Sequence, residues 1–291
     1  MALNIEQKSA SNIQNINKPR KKNWLILVIV LFAFIGGVLL KTHLDNQMLP
    51  KLAREYQSQE FKGPVKIKSE SKVYSSGSNI PNGYQLKKYH NSSGRLDHRG
   101  YIAVPKQTGV TIPIRSMQIN EGSSNDNLQN KAMSYGAVTG KANQVMGEMG
   151  NFGVEAHTFP DGRTFFSPMQ HGIDVNKKPL VYITDGKKLY IYQLNAQKDS
   201  SGKDSIDPLK SYDNPTKIPG ERIIHQIHGN VMSDEAADGL AMLTMSTCDE
   251  RDEQKFNLSP VNRIVMTGLL VETKPFNSAN ESEKLLFPQL N

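Results

Sequence analysis

Two hydrophobic textures divide this chain of 291 residues. Near the N-terminus, Trp24–Leu40 is an uninterrupted apolar run without a charge. Seventeen residues at helical rise span roughly 25 Å, the short end of what crosses a bilayer. From Gly100 onward the pattern changes to short β-branched and aliphatic runs between turn residues. Eight such runs read as strands: Gly100–Val104, Val110–Ile114, Phe152–Thr158, Pro179–Thr184, Lys188–Leu194, Arg222–Ile227, Leu240–Cys248 and Arg263–Glu272. Asp161-Gly162, Asp185-Gly186 and Pro219-Gly220 are turn signals between them. Asn125–Ser134 and Ser233–Ala237 are the expected short helices, and the whole predicts an all-β barrel or sandwich with helical decoration.

Around this region the polar segments set the domain plan. Residues 1–23, rich in Asn and Lys, form a tail, and 24–40 form the apolar segment. Residues 41–98 mix charge, Ser, Gly and Asn and read as a stalk, with helix near Leu44–Gln57 and a short strand at Val65–Ile67. The folded domain is expected over 99–273, followed by a polar tail over 274–291. Within the domain, Asn195–Glu221 is a long hydrophilic insertion, of the kind that serves as a lid or stays disordered.

The formal net charge of +7 suggests a nucleic-acid partner until its distribution is read. Lys8, Lys18, Arg20, Lys21, Lys22 and Lys41 face one acid, Glu6, in the first 41 residues. Removing them from totals of 35 and 28 leaves 29 basic against 27 acidic side chains, so a phosphate-tracking nucleic-acid surface is not expected. The basic cluster at 18–22 precedes the apolar run directly. By the positive-inside rule it holds the N-terminus in the cytoplasm and sends everything after residue 41 outward. No small-x-small cleavage pattern follows in Lys41-Thr42-His43-Leu44-Asp45, which favours a single-pass anchor over a removed signal peptide.

An exported chain with one cysteine has no internal disulfide, and an outward-facing thiol is either buried or used. Cys248 ends a strand, and Arg263 opens the next after a polar connection. His157 lies at the end of a third strand, in Glu155-Ala156-His157-Thr158-Phe159. A cysteine nucleophile needs a thiolate, a proton donor for the leaving amine and support for the oxyanion. About 3% of an unperturbed thiol is ionised at pH 7, and a nearby cation raises that fraction. An imidazole and a guanidinium supply the other two needs, the guanidinium being charged at any working pH and fixed in a plane.

At these residues the chain resembles the sortase family, nearest to its class A, housekeeping type. Thr244-Met245-Ser246-Thr247-Cys248 matches the family's Thr-Leu-x-Thr-Cys signature with Met for Leu. Arg263 before Ile264-Val265 matches its arginine strand, and Ala156-His157-Thr158-Phe159 matches its histidine context. The order His, Cys, Arg agrees. Gly100–Pro105 and Val110–Ile114 look like the family's first two strands, so the likeness covers about 98–272. It implies an eight-stranded sortase-type β-barrel with short helices behind a transmembrane helix, on the outer face of a Gram-positive membrane. It implies a transpeptidase that cleaves Leu-Pro-x-Thr-Gly-like C-terminal sorting signals of secreted proteins at the Thr–Gly bond. The thioacyl intermediate is then passed to an amine of a peptidoglycan precursor of the lipid II kind. By position, Cys248 is the nucleophile, His157 the general acid/base and Arg263 the oxyanion or substrate stabiliser. Thr244, Ser246, Thr247 and Val265 line the groove.

The departures are informative. Ala156 stands where the family usually has Gly, and Glu155 precedes it. The acids of the calcium site described for some class A members are replaced by Ala142, Val145 and Met149, so no metal, cofactor or calcium dependence is expected. Asp207-Pro208-Leu209 is misplaced for the lid of a pilus-building sortase, and the tail has no second apolar span. Alone, Cys248 would read as a small buried hydrophobe, and His171, His225 and His228 read as surface or loop residues without zinc spacing. Asp199, Asp204, Asp207 and Asp213 solvate the insertion. A papain-like peptidase reverses the Cys and His order, and an L,D-transpeptidase carries a His-Gly that is missing here. An anchored surface module that binds wall polymer or sorting peptides without turnover remains the alternative.

Overall fold

The computed structural model describes residues 21–57, 83–142, 144–195, 221–225, 232, 234–237, 239–249 and 262–290. The chain divides into two units, Met1–Leu44 and Asp45–Asn291. In the first unit the described part belongs to α1, which runs Lys21–Gln57 and carries Pro50 beyond the unit's end. Leu27, Phe32, Phe34 and Leu39 on this helix are exposed. Among the described residues no helix is long and apolar enough to cross a membrane.

The second unit is built on a closed sheet. Its strands are β1 His98–Val104, β2 Ile114–Asn120, β3 Gly136–Thr139, β4 Gly150–Glu155, β5 Leu180–Thr184, β6 Lys188–Leu194, β7 Glu221–His225, β8 Ala241–Cys248 and β9 Asn262–Pro275. Their order is β6-β5-β1-β2-β3-β4-β8-β9-β7, and β6 also pairs with β9. That second pairing closes an eight-stranded barrel and removes its free edges. The ninth strand, β7, lies outside the ring. It pairs with the first half of β9, Asn262–Met266, while β6 takes the second half, Gly268–Pro275. The eight-stranded barrel therefore holds, although with a different set of eight strands. The expected strand Val110–Ile114 forms only isolated bridges, from Val110 to Gln107 and Ile173. Pro113, which has no N–H for a ladder, marks its limit, and the strand proper starts at Ile114. The short β3 takes the vacant place in the ring.

Alternation of side chains across each strand separates a core face from an outward face. Phe152, Val154 and Ala156 on the β4 segment, Leu243 and Met245 on β8, and Ile264 and Met266 on β9 are buried in one cluster. Each large side chain so buried contributes about 1.5–3 kcal/mol relative to exposure. Gly100 sits at φ 148, where an added Cβ would overlap the Thr184 carbonyl oxygen of the neighbouring strand. Only glycine lets β1 approach β5 that closely.

Two segments expected to be peripheral are part of this unit. Leu49 and Ala53 from the end of α1, and Leu86 from α2 (Gly83–His90), are buried in the main core. The segment over 41–98, expected as a stalk, thus supplies core residues. The tail expected over 274–291 folds as 3-10 turns and the short α4, Glu281–Lys284, with a capping box between Asn280 and Glu283. Its Phe276, Ala279 and Phe287 pack on Tyr101, Ala103, Leu189 and Ile191. The helix expected over Asn125–Ser134 is α3, Asp126–Tyr135, capped by the Asn125 side chain. The segment expected as helical over Ser233–Ala237 is a 3-10 turn over Asp234–Ala237. Val65–Ile67 and most of Asn195–Glu221 lie outside the described residues.

Candidate active site

Cys248 is the last residue of β8 and stands directly opposite Arg263 in the antiparallel β8–β9 register. On its other side β8 pairs in parallel with β4, from Gly150↔Ala241 to Glu155↔Ser246. The ladder continues past the strand's end: Ala156 N–H donates to Ser246 O at 3.3 Å, and Thr247 Oγ1 donates to Ala156 O at 2.8 Å. Two residues beyond its last pair, this register sets His157 level with Cys248. The three residues singled out in the sequence therefore form one row across three adjacent strands. The row lies on the outward face, opposite in parity to Phe152, Leu243 and Ile264 of the core.

The loop after His157 returns to fix both members of the row. Phe166 N–H donates to His157 O at 3.3 Å, and Gln170 Nε2 donates to Cys248 O at 2.6 Å. Within the loop, Phe159 N–H donates to Ser167 Oγ at 2.7 Å, and the Ser167 hydroxyl donates to Thr164 O. Asp161 closes the turn: Oδ1 accepts from Arg163 N–H and Thr164 N–H at 3.0 and 2.9 Å. Its Oδ2 accepts from Arg54 Nη1 at 2.6 Å and from Thr164 Oγ1 at 2.7 Å. The end of α1 is thereby tied to the loop that holds the histidine.

His157, Cys248 and Arg263 are all buried. Among the described residues His157 Nε2 has no hydrogen-bond partner, and neither has Thr244 Oγ1 on the same face. Buried polar atoms normally find partners, so these two are exceptions on the face that carries the row. Burial, then the nearby Arg263 charge, lowers the His157 pKa to about 3. The resting imidazole is thus neutral at physiological pH, able to accept a proton. One row behind, on the same face, is Glu155, which pairs with Ser246. Burial raises its pKa to about 7, against the opposing pull of Arg263.

The groove residues divide by strand parity. Ser246 and Val265 are cross-strand partners in the row behind Cys248, and Thr244 pairs with Thr267 one row further back. All four are buried on the outward face. Thr247 is different: it has the inward parity of Leu243 and Met245, and its hydroxyl is spent on Ala156 O. It stitches β8 to β4 instead of lining the groove. The floor is narrow behind these rows, because a Cβ at Gly153 would overlap Met232 Sδ. Gln170 was not legible in the sequence, since it lies in an irregular loop with no periodic signal. Glu155 was visible as a departure in the histidine segment, but its proximity to Arg263 requires the β4–β8–β9 register.

A closed barrel carrying a thiol, an imidazole and a guanidinium in one row is the framework of a cysteine acyl-transfer enzyme. A family model described as the Sortase domain matches residues 102–271, more than half of the chain. The chain belongs to the sortase family, whose members are transpeptidases. It is similar to sortase A of Streptococcus agalactiae serotype III (strain NEM316), with 26% identity over 267 residues, 89% of this chain and 88% of that one. Among solved structures it resembles Listeria monocytogenes sortase A, at 23% identity and a TM-score of 0.42, covering 66% of this chain and 97% of that one. Sortase C-3 of Streptococcus pneumoniae matches at 11% identity and a TM-score of 0.43, covering 86% and 92%.

Proposed function

We propose that this chain is a class A-type sortase, anchored by its N-terminal apolar helix with the barrel on the outer face of the membrane. It joins secreted proteins bearing Leu-Pro-x-Thr-Gly-like signals to an amine of a peptidoglycan precursor. The observation that carries the proposal is the row formed by His157, Cys248 and Arg263 on one face of the sheet.

Cys248 Sγ attacks the threonine carbonyl carbon of the signal. The thiol proton passes to neutral His157, and the carbonyl oxygen becomes an oxyanion facing the Arg263 guanidinium. Collapse of this intermediate breaks the Thr–Gly bond, and the imidazolium gives its proton to the leaving glycine amine. The acceptor amine then attacks the thioester, losing its proton to His157, and the thiol leaves as a new amide forms. With its pKa lowered to about 3, the resting His157 is neutral and has a nitrogen lone pair free for the thiol proton. The same low value makes it a weak base at rest and its imidazolium a strong acid toward the leaving amine. The unpartnered Thr244 hydroxyl on the same face is available to the signal.

The full chain, in neutral detergent, is incubated with a quenched Leu-Pro-x-Thr-Gly peptide and candidate amines. Cleavage, ligation and a peptide adduct on Cys248 by mass spectrometry are expected, and Cys248→Ala should abolish all three while leaving the circular dichroism unchanged. Saturable peptide binding without cleavage would instead identify an anchored binding module.

A further inference from the structure

None of the residues in the catalytic row lines the two clefts beside the end of α1. One has a volume of about 350 Å³ and the other about 520 Å³, and they share Arg54, Pro113 and Arg115. Both volumes fall in the range of small-ligand sites. Arg163 adds a third guanidinium to the first cleft, and Lys106 an ammonium to the second. These cations come from four separate stretches of chain that the fold brings together.

Among the described residues, Arg54 is the one of these four cations with a carboxylate partner. Asp161 pairs with Arg54, but both its carboxylate oxygens are already engaged, each accepting two hydrogen bonds from Arg54, Thr164 and the Arg163 backbone. Arg115, Arg163 and Lys106 have no ion pair among the described residues, and all three are exposed. Like charges held around one concavity repel, and an anion between them relieves the repulsion. The guanidinium fork matches a tetrahedral phosphate in shape and donor spacing. The remaining lining is mixed: Thr111 and Thr164 stand beside Ile112 and Phe165 in the first cleft, and Ser116 and Gln289 beside Leu285 and Leu286 in the second. Phe165 is also one of three non-glycine residues with positive φ among those described, at 52°. Strained backbone of this kind tends to gather at ligand-binding positions.

We propose that these joined clefts bind a phosphate ester carried on an apolar stem, with Arg54, Arg115 and Arg163 on the phosphate and Ile112 and Phe165 against the stem. The same chemistry is offered by an acidic phospholipid head group and by a free phosphate ester.

The test is isothermal titration of the full chain, in neutral detergent below the lipid's own micelle concentration, with two probes. One is dihexanoyl phosphatidylglycerol, the other glycerol 3-phosphate. Dihexanoyl phosphatidylcholine, whose phosphate is balanced by a quaternary ammonium, is the zero-net-charge control and should bind at least tenfold more weakly than the phosphatidylglycerol. Saturable binding of either anionic probe is expected, weakened about tenfold by Arg115→Gln and again by Arg163→Gln. Lys187→Gln, an exposed cation elsewhere, should leave the affinity unchanged. A lipid that binds at least tenfold more tightly than glycerol 3-phosphate assigns the site to a head group with its stem. Affinities closer than that overturn the stem contact with Ile112 and Phe165 and leave a phosphate site alone. No saturable binding of either probe overturns the proposal. So does binding that survives both arginine substitutions in variants whose thermal unfolding matches the parent.

Discussion

Cys248 and Arg263 face each other as direct cross-strand partners in the β8–β9 ladder, so backbone pairing roots the arginine side chain beside the thiol. Side chains opposite one another in an antiparallel pair start with Cβ atoms about 4.5–5.5 Å apart. The charge that would meet the oxyanion is thereby held by the sheet. Lysine at this position keeps the charge but loses the planar fork and shortens the reach of its donors. Arg263→Lys is expected to lower kcat about 100-fold, with KM changed less than threefold, because the lost contact belongs to the transition state. Steady-state kinetics with the quenched peptide check this. A variant within threefold of the parent in kcat would remove Arg263 from the oxyanion role.

Glu155 is a carboxyl buried one row behind that pair, and its raised pKa has a consequence for stability. Between its usual 4.5 and about 7 the folded protein keeps a proton that the unfolded chain releases. The contribution is whole below pH 4.5 and is lost as pH rises through 7. Glu155→Gln removes the ionising group and retains its shape. The variant is expected to match the parent at pH 4.5 and exceed it at pH 8, by on the order of 3 kcal/mol. Urea unfolding at the two pH values measures the difference. A variant less stable than the parent at pH 8 would show that the Glu155–Arg263 attraction outweighs burial.

His157 titrates with the opposite sense. Its folded pKa is lowered from 6.5 to about 3, so between those values the unfolded chain takes up a proton that the fold refuses. Stability from this group is present above pH 6.5 and is lost as pH falls toward 3. In the Glu155→Gln background, which removes the opposing titration of Glu155, the stability of the protein should climb steadily from pH 4 to 6.5. Nitrogen-15 spectra of histidine-labelled protein should show His157 as a neutral imidazole at pH 5. An imidazolium signal at that pH would contradict the assigned resting state and the direction of the first proton transfer.

The row of His157, Cys248 and Arg263 was legible in the sequence because each member sits at the end of a strand-like run, and strand ends are where side chains leave the ladder. The cysteine signature and the order of the three residues carried the family resemblance. What periodicity could not reveal was which strands are neighbours. The parallel pairing of β4 with β8, far apart in the chain, is what aligns His157 with Cys248 and brings Glu155 near Arg263. Thr247, adjacent to Cys248 on the same strand, faces the other way by strand alternation alone, and its hydroxyl partner Ala156 O became visible only with the β4–β8 pairing. Short elements were lost as well. β3 has four residues, too few for an alternation to register, and the C-terminal turns bury only isolated apolar positions.

Those C-terminal turns support the last prediction. Phe287 is completely buried, and its ring meets that of Phe276 edge-on at 6.1 Å over Tyr101, Leu189 and Ile191. These strand residues have the outward parity of β1 and β6, so without the C-terminal cap a large apolar patch would face water. A Lys274–Glu283 ion pair at 2.8 Å and the Asn280 capping box hold the cap in place. Removing a buried phenylalanine ring typically costs about 3–5 kcal/mol. For a domain of this size that corresponds to a fall in Tm on the order of 10 °C. Phe287→Ala is therefore expected to melt about 10 °C below the parent in calorimetry. β8, which carries Cys248, and β4, which ends just before His157, do not pair with β1 or β6, and Arg263 lies in the half of β9 that pairs with β7 and not β6. For that reason kcat per folded molecule at 20 °C should stay within about twofold. A shift below 2 °C would mean that residues 276–290 rest on the barrel without stabilising it.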